Sequence, residues 1–276
     1  MAALDYLRPS TLPEALAALN RPGARALAGG QALLPRLLQG IEAAESLVEI
    51  GHLAELRDVT RDEERLSVGA ATRPVDLADT PAVWTLAPAL GEMAGAMGDP
   101  QFRNRATLGG AFAENHPASC WMAAALALEA LFLTDRREIS AGDWGLGPFS
   151  TPLEPGETLA GLRFLIPRRA GWARIRGAAG SGSPFPLASV FAAQTRAGEA
   201  RLGVAGGAGG AFRWRAGEAA LEDLGFAPES LAGLEPEEAE MFGDERADSA
   251  HRARLAGRAA AQAVARALAI KSAPGL

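Results

Sequence analysis

The 276-residue chain has one cysteine, Cys120, and three histidines, His52, His116 and His251, which lie far apart in the sequence. A single thiol excludes a disulfide framework, a multi-cysteine zinc site and any iron–sulfur cluster held by this chain alone. Three scattered imidazoles argue against a metal site built by this protein. Lysine is nearly absent as well: Lys271 is the only one, against 27 basic residues in all. A uniform arginine and alanine bias of this kind follows base composition more than chemistry, so arginine-rich stretches carry no weight as phosphate sites. The net charge of −6 excludes a nucleic-acid binder that relies on a basic surface. Long apolar runs are missing too. The longest, Trp121 to Leu133, is interrupted by Glu129 and falls short of the roughly 20 residues a membrane span needs. Met1 to Pro9 lacks the apolar segment of a targeting signal. The expectation is a cytoplasmic chain with no transmembrane segment.

What is present is globular: 48% hydrophobic and 22% charged residues, with 32 glycines. Such a length admits one large domain or two to three small ones. Thr11 predicts a helix N-cap, with Pro13 early in the helix and Leu12, Leu16 and Leu19 on one face. A strand over 25–28, a helix over 31–40 stopped by Gly40, and a strand over 46–50 follow, which suggests a small α/β unit. Further on, 66–71 reads as a strand, 81–97 as one helix, 118–131 as an apolar helix, and 162–166 as a strand. Segments 172–175, 187–195 and 200–204 read as a strand meander. Helices are expected over 216–224, from 235 to 240, and over 251–270. Candidate boundaries lie near Gly51 and Arg169.

Two glycine pairs stand out. Ala28-Gly29-Gly30-Gln31-Ala32-Leu33 follows a strand and enters a helix, where bare amides can approach a phosphate. A Cβ would block that approach or forbid the backbone angles. The spacing is neither that of a Rossmann loop nor that of a Walker loop, and the same pattern also makes an ordinary strand–turn–helix connection. Thr107-Leu108-Gly109-Gly110-Ala111 is the second pair, expected to precede the apolar helix by a polar stretch running to Pro117, Ser119 and Cys120. Its hydroxyls and the Gly109 and Gly110 amides can face one ligand. Together the loops can grip the pyrophosphate of one dinucleotide from two sides.

"ALAGGQALLPRLL" and "DPQFRNRATLGGAFAENHPASCWMAAALAL" resemble the two signature segments of the FAD-binding medium subunits of molybdenum hydroxylases, the carbon monoxide dehydrogenase and xanthine dehydrogenase flavoprotein family. "STPLEPGETLAGLRFLIP", "ARLGVAGGAGGAFRWRAGEAAL" and "HRARLAGRAAAQAVARAL" resemble later parts of the same family, in the same order. The resemblance implies an α+β protein: a two-subdomain FAD-binding fold of the vanillyl-alcohol-oxidase/PCMH type plus a C-terminal antiparallel sheet-and-helix domain. The implied units are 1–51, 52–169 and 170–276, with FAD between the first two. On matching positions, Ala28, Gly29, Gly30, Gln31, Ala32 and Leu33 would hold the pyrophosphate, and Thr107, Gly109, Gly110 and Ala111 would approach from the other side. Pro117, Ser119 and Cys120 would line the cofactor's far reach, Leu159 would pack near the flavin ring, and Arg174 would stand where the family often has a lysine.

The resemblance further implies an electron-transfer subunit with no catalytic residue of its own. Its partners would be a large molybdopterin-binding subunit and a small 2Fe–2S subunit, with a quinone, NAD or oxygen as acceptor. Three departures from the family pattern, at Ala111, Cys120 and Ser183-Pro184-Phe185-Pro186, motivate the alternative of an assembly scaffold with weakened FAD binding. Of the remaining residues, Gly203 to Gly210 reads as a turn, Cys120 as a packing residue, His116 as a positioning or solvated group, and Arg168-Arg169 as a solvated junction.

Overall fold

A computed structural model describes residues 4–177 and 185–270. Ser183 and Pro184 of the departing segment lie outside the described residues. The chain begins with Asp5–Leu7 (β1), Leu12–Leu19 (α1), Ala24–Leu27 (β2), Leu33–Leu38 (α2) and Ser46–Glu49 (β3). The three strands form a parallel sheet in the order β1-β3-β2. Thr11 caps α1 by accepting from the Glu14 amide at 3.4 Å, and Glu14 returns the favour to the Ser10 amide at 2.8 Å. The expected helix over 31–40 is shorter than its sequence pattern: Gly30 to Ala32 form a turn first, and α2 covers six residues.

The middle of the chain holds Val59–Arg61 (β4), Arg65–Gly69 (β5), Pro74–Ala78 (α3), Pro81–Leu86 (α4), Pro88–Gly95 (α5), Pro100–Arg105 (α6), Leu108–Glu114 (α7), Cys120–Ala127 (α8), Leu131–Thr134 (β6), Glu138–Ser140 (β7), Ala141–Trp144 (α9) and Leu159–Leu165 (β8). Its strands form an antiparallel sheet in the order β4-β5-β8-β6-β7. The single helix expected over 81–97 is two, because Pro88 cannot continue α4 and leaves Ala87 at φ −148°, ψ 61°. The apolar run after Cys120 also splits. Helix α8 ends at Ala127, Glu129 takes a left-handed φ of 44°, and the remaining apolar residues become β6.

Arg169–Ile175 (β9), Ala188–Gln194 (β10), Ala200–Ala205 (β11) and Phe212–Arg213 (β12) form an antiparallel sheet in the order β12-β11-β10-β9, followed by Arg215–Asp223 (α10) and Ser249–Ala269 (α11). Strand β10 reads as a nearly unbroken apolar run because both of its faces are buried. Phe191 and Ala193 join the core around α8, while Val190 and Ala192 join the core under α11. The approach is close on both sides. A Cβ on Gly203 would stand 1.9 Å from the Ala123 carbonyl oxygen, and one on Gly171 would stand 2.0 Å from that of Ala263. The acidic helix expected from 235 is only a short 3-10 turn, Glu238–Glu240. Among the described residues, no helix is long and apolar enough to cross a membrane.

Candidate functional site

The first glycine loop leaves β2 at Ala28 and reaches α2 through a tight turn. Gly30 has φ +67°, a left-handed conformation that a side chain would strain. Gly29 touches the middle of the chain so closely that a Cβ would lie 2.2 Å from the Arg105 carbonyl oxygen. The amides of Gly29, Gly30, Gln31, Ala32 and Leu33 donate to no acceptor among the described residues. These five consecutive N–H groups at the entry to α2 are left without a protein acceptor, so they are available to an anion.

The second glycine pair departs from the sequence expectation. It does not precede a helix by a polar stretch but lies inside α7, with Thr107 as N-cap. Its amides are already used. The Gly109 amide donates to the Ala70 carbonyl at 2.7 Å, and the Gly110 amide donates to the Thr107 hydroxyl at 3.2 Å. These glycines therefore serve by lacking side chains. A Cβ on Gly109 would meet Ala70 at 2.7 Å, whereas one on Gly110 would meet only the Thr107 hydroxyl, at 3.0 Å. Glycine is needed at 109 for packing, and at 110 it leaves open space.

That space is a cavity of about 370 Å³ between the two loops. Ala28, Gly29, Gly30, Gln31, Ala32 and Leu33 line one wall; Thr107, Gly109, Gly110 and Ala111 line another, and Leu159 at the start of β8 lines a third. Three other expected residues, Ser119, Cys120 and Arg174, lie instead on a smaller adjoining cavity of about 70 Å³, which shares Ala111 and Glu114 with the first. Pro117 lines neither cavity; its carbonyl accepts from the Gly206 amide at 2.9 Å and ties the segment to the C-terminal sheet. Cys120 is fully packed, and burial pushes its thiol up, which suits a packing residue.

Several lining residues were not legible from spacing. Arg25 and Arg36 share the Glu42 carboxylate at 3.3 and 3.2 Å, placing two cations and one anion beside the amide cradle. The guanidinium of Arg36 also lies 5.9 Å from the Phe149 ring centroid. Phe149 has a left-handed φ of 58°, held because its amide donates to the Asn115 carbonyl at 3.0 Å while the Asn115 Nδ2 donates to the Gly147 and Ser150 carbonyls at 2.9 and 2.8 Å. Glu157 is buried in the same wall. Its hydrogen-bonded partner Arg137, helped by the Glu154 amide and the Thr134 hydroxyl, holds the carboxyl down at about 2.

His116 is a positioned, half-buried group on the smaller cavity. Its Nδ1 accepts from the Ala118 amide at 3.1 Å, so the neutral ring carries its proton on Nε2. The ring stacks on Phe185 at 3.7 Å and meets Phe149 edge-on at 5.2 Å. Burial, with Arg246 nearby, lowers its pKa from 6.5 to about 4. The unfolded chain therefore binds a proton that the folded chain refuses, so the stability His116 contributes is complete above 6.5 and is lost as pH falls toward about 4. Urea midpoints measured across that window should fall more steeply in the natural protein than in His116→Gln; parallel curves would refute this.

Residues 2–168 match the family model described as the FAD binding domain in molybdopterin dehydrogenase. The chain belongs to this family. It is 35% identical over 176 residues to the carbon monoxide dehydrogenase medium chain of Hydrogenophaga pseudoflava, a match spanning 61% of this chain and 61% of that one. The sequence match thus spans about three fifths of that relative's length. The structural likeness is wider. The chain superposes with a TM-score of 0.83 and 29% identity on carbon monoxide dehydrogenase from Hydrogenophaga pseudoflava lacking the Mo-pyranopterin moiety, covering 97% of this chain and 98% of that one. Against the reconstituted CO dehydrogenase from Oligotropha carboxidovorans the TM-score is 0.88 at 25% identity, covering 98% and 99%. The α+β architecture is that of the family's FAD-binding fold. The cavity suits FAD chemically: an unsatisfied amide row offers what a pyrophosphate needs, and a side-chain-free helix start leaves room for it.

Proposed function

We propose that this chain is the FAD-binding electron-transfer subunit of a molybdenum-containing hydroxylase or dehydrogenase working in the cytoplasm. Electrons would reach it from 2Fe–2S clusters on a small partner subunit and leave to an external acceptor, while a large molybdopterin-binding subunit handles the substrate. The observation that carries this reading is the row of free amides from Gly29 to Leu33 facing the side-chain-free start of α7 across one cavity. The units 1–51 and 52–169 would hold the cofactor between them, with 170–276 packed behind α8. The single cysteine supports the division of labour, since clusters then need another chain.

Within this reading the residues have separate tasks. The Gly29–Leu33 amides bind pyrophosphate oxygens, with Arg25 and Arg36 adding positive charge beside them. Gly110 and Ala111 keep the opposite wall thin, and Leu159 offers an aliphatic surface. FAD, when bound, supplies the two-electron chemistry; the protein supplies binding, orientation and electrostatics. Purification of the native complex, with flavin, iron and molybdenum measured per chain, tests the proposal. About one flavin per copy, together with a molybdenum-bearing partner and an iron–sulfur partner, is the expected result. A colourless, well-folded complex would replace it with the scaffold alternative.

A further inference from the structure

The wall shared by the two cavities carries a carboxyl that the protein itself does not satisfy. Glu114 is the last residue of α7 and lines both the larger and the smaller cavity. It is half-buried, and it makes no hydrogen bond or ion pair with any described residue. Burial pushes its pKa up, and the only charge opposing that is Arg36. The end of a helix adds to the disfavour, because the exposed carbonyls there repel an anion.

The titratable and charged groups around Glu114 are each committed elsewhere. From the neighbouring strand, Arg25 hydrogen-bonds Glu42 at 3.3 Å, and from α2 Arg36 ion-pairs with the same carboxylate at 3.2 Å, its buried Nε making no hydrogen bond. Glu157, before β8, is locked to Arg137 at 2.9 Å and stays ionised down to about 2. On the smaller cavity, His116 stays neutral until about 4, and burial keeps the Cys120 thiol protonated. Arg174, on β9, lies 5.0 Å from the Trp172 ring centroid as a permanent cation. Glu114 is the carboxyl in this wall that has no hydrogen-bonded or ion-paired partner among the described residues.

We propose that Glu114 is the proton-holding residue of the cofactor site, taking up a proton when negative charge is added to the bound cofactor and releasing it when that charge leaves. The inference rests on the FAD reading above. An added charge near a carboxylate disfavours its ionised form, so a cofactor seated in the larger cavity, which Glu114 lines, would favour proton uptake there when it gains charge. The step balances. One proton passes from solvent to a Glu114 carboxylate oxygen when one electron from a donor of the iron–sulfur class would reach the bound cofactor, and reoxidation by an external acceptor would reverse both. A hydronium O–H bond breaks as the Glu114 O–H bond forms, and the exchange reverses when the charge leaves. Glu114 acts as a positioning residue for charge, so its signature is a pH dependence of the cofactor's potential.

The test is a spectroelectrochemical titration of the flavin in the purified complex across pH, for the natural protein, Glu114→Gln and Glu114→Asp. The natural protein's curve of midpoint potential against pH should bend where Glu114 changes protonation. Glu114→Gln should lose that bend with its flavin spectrum intact, and Glu114→Asp should retain one. FAD binding to the deflavinated complex gives a second readout. Glu114→Gln should bind roughly three- to tenfold more tightly in mildly alkaline buffer, where it removes a charge facing an anionic ligand. The gain should vanish in acidic buffer. Superimposable potential curves for Glu114→Gln and the natural protein would overturn the proposal while leaving the FAD reading intact. A complex that holds no flavin at all would overturn both.

Discussion

Gly110→Val should yield a folded chain that purifies without flavin. Gly110 is the third residue of α7 with an ordinary helical backbone, so valine is sterically allowed there. Its Cβ would meet only the Thr107 hydroxyl at 3.0 Å, and the branched methyls would then extend into the cavity. Filling that space with methyl groups costs binding about 3 kcal/mol or more, on the order of a hundredfold in affinity. The measurement is flavin per chain after desalting, beside a melting curve for the same sample. The neighbouring Gly109→Ala is the necessary contrast. Its Cβ would lie 2.7 Å from the Ala70 Cβ and 2.8 Å from the Ala70 carbonyl oxygen, so that variant should lose stability along with flavin. A Gly110→Val protein retaining full flavin would remove this loop from the cofactor site.

Arg252→Met should lower stability by about 3 kcal/mol without touching either cavity. Arg252 lies on α11 with no exposed surface. Its guanidinium donates to the Leu187 carbonyl at 2.8 Å and to Asp244 at 2.6 Å, and its carbon lies 4.1 Å from the Phe242 ring centroid. Burial pushes the Asp244 carboxyl up, but hydrogen bonds from Arg252 and Arg246 outweigh it and hold the pKa at about 2. Replacement by methionine keeps the volume and leaves the Leu187 carbonyl unpaired in the interior. Arg246 still contacts Asp244, so the loss stays below that of a fully orphaned buried charge. For a chain of this size the melting midpoint should fall by roughly 5–10 °C. Arg258→Met, at an exposed position of the same helix, should shift it by no more than about 0.5 kcal/mol. Equal melting of the two variants would show that the buried clamp contributes nothing.

Much of the site was readable because its signals are local. Two glycines after a strand, with a helix following, mark a backbone that must come close to something, and the order of the two motifs marks the family. What each glycine does was not readable. The Gly29–Leu33 amides find no acceptor among the described residues, whereas the Gly109 amide is consumed by Ala70, a residue far back in the sequence. Arg36, Glu114 and Glu157 lie within the resembling segments without any spacing that marks them as lining residues, Phe149 lies outside them, and only folding brings the four to the same walls. Pro117 shows the reverse. It sits within a signature segment, yet its carbonyl is spent on the C-terminal sheet.

By itself the sequence determined the capped first helix, the glycine loop after β2 and the exclusion of an iron–sulfur cluster held by this chain alone. Each of these depends on residue types or on neighbours a few positions apart, so each survives without knowledge of the fold. Only the tertiary structure decided which amides remain available, which side chains enclose the cavity and which carboxyl faces it unpaired. Those are questions of long-range packing, in which a backbone group is free or satisfied according to what another part of the chain places against it.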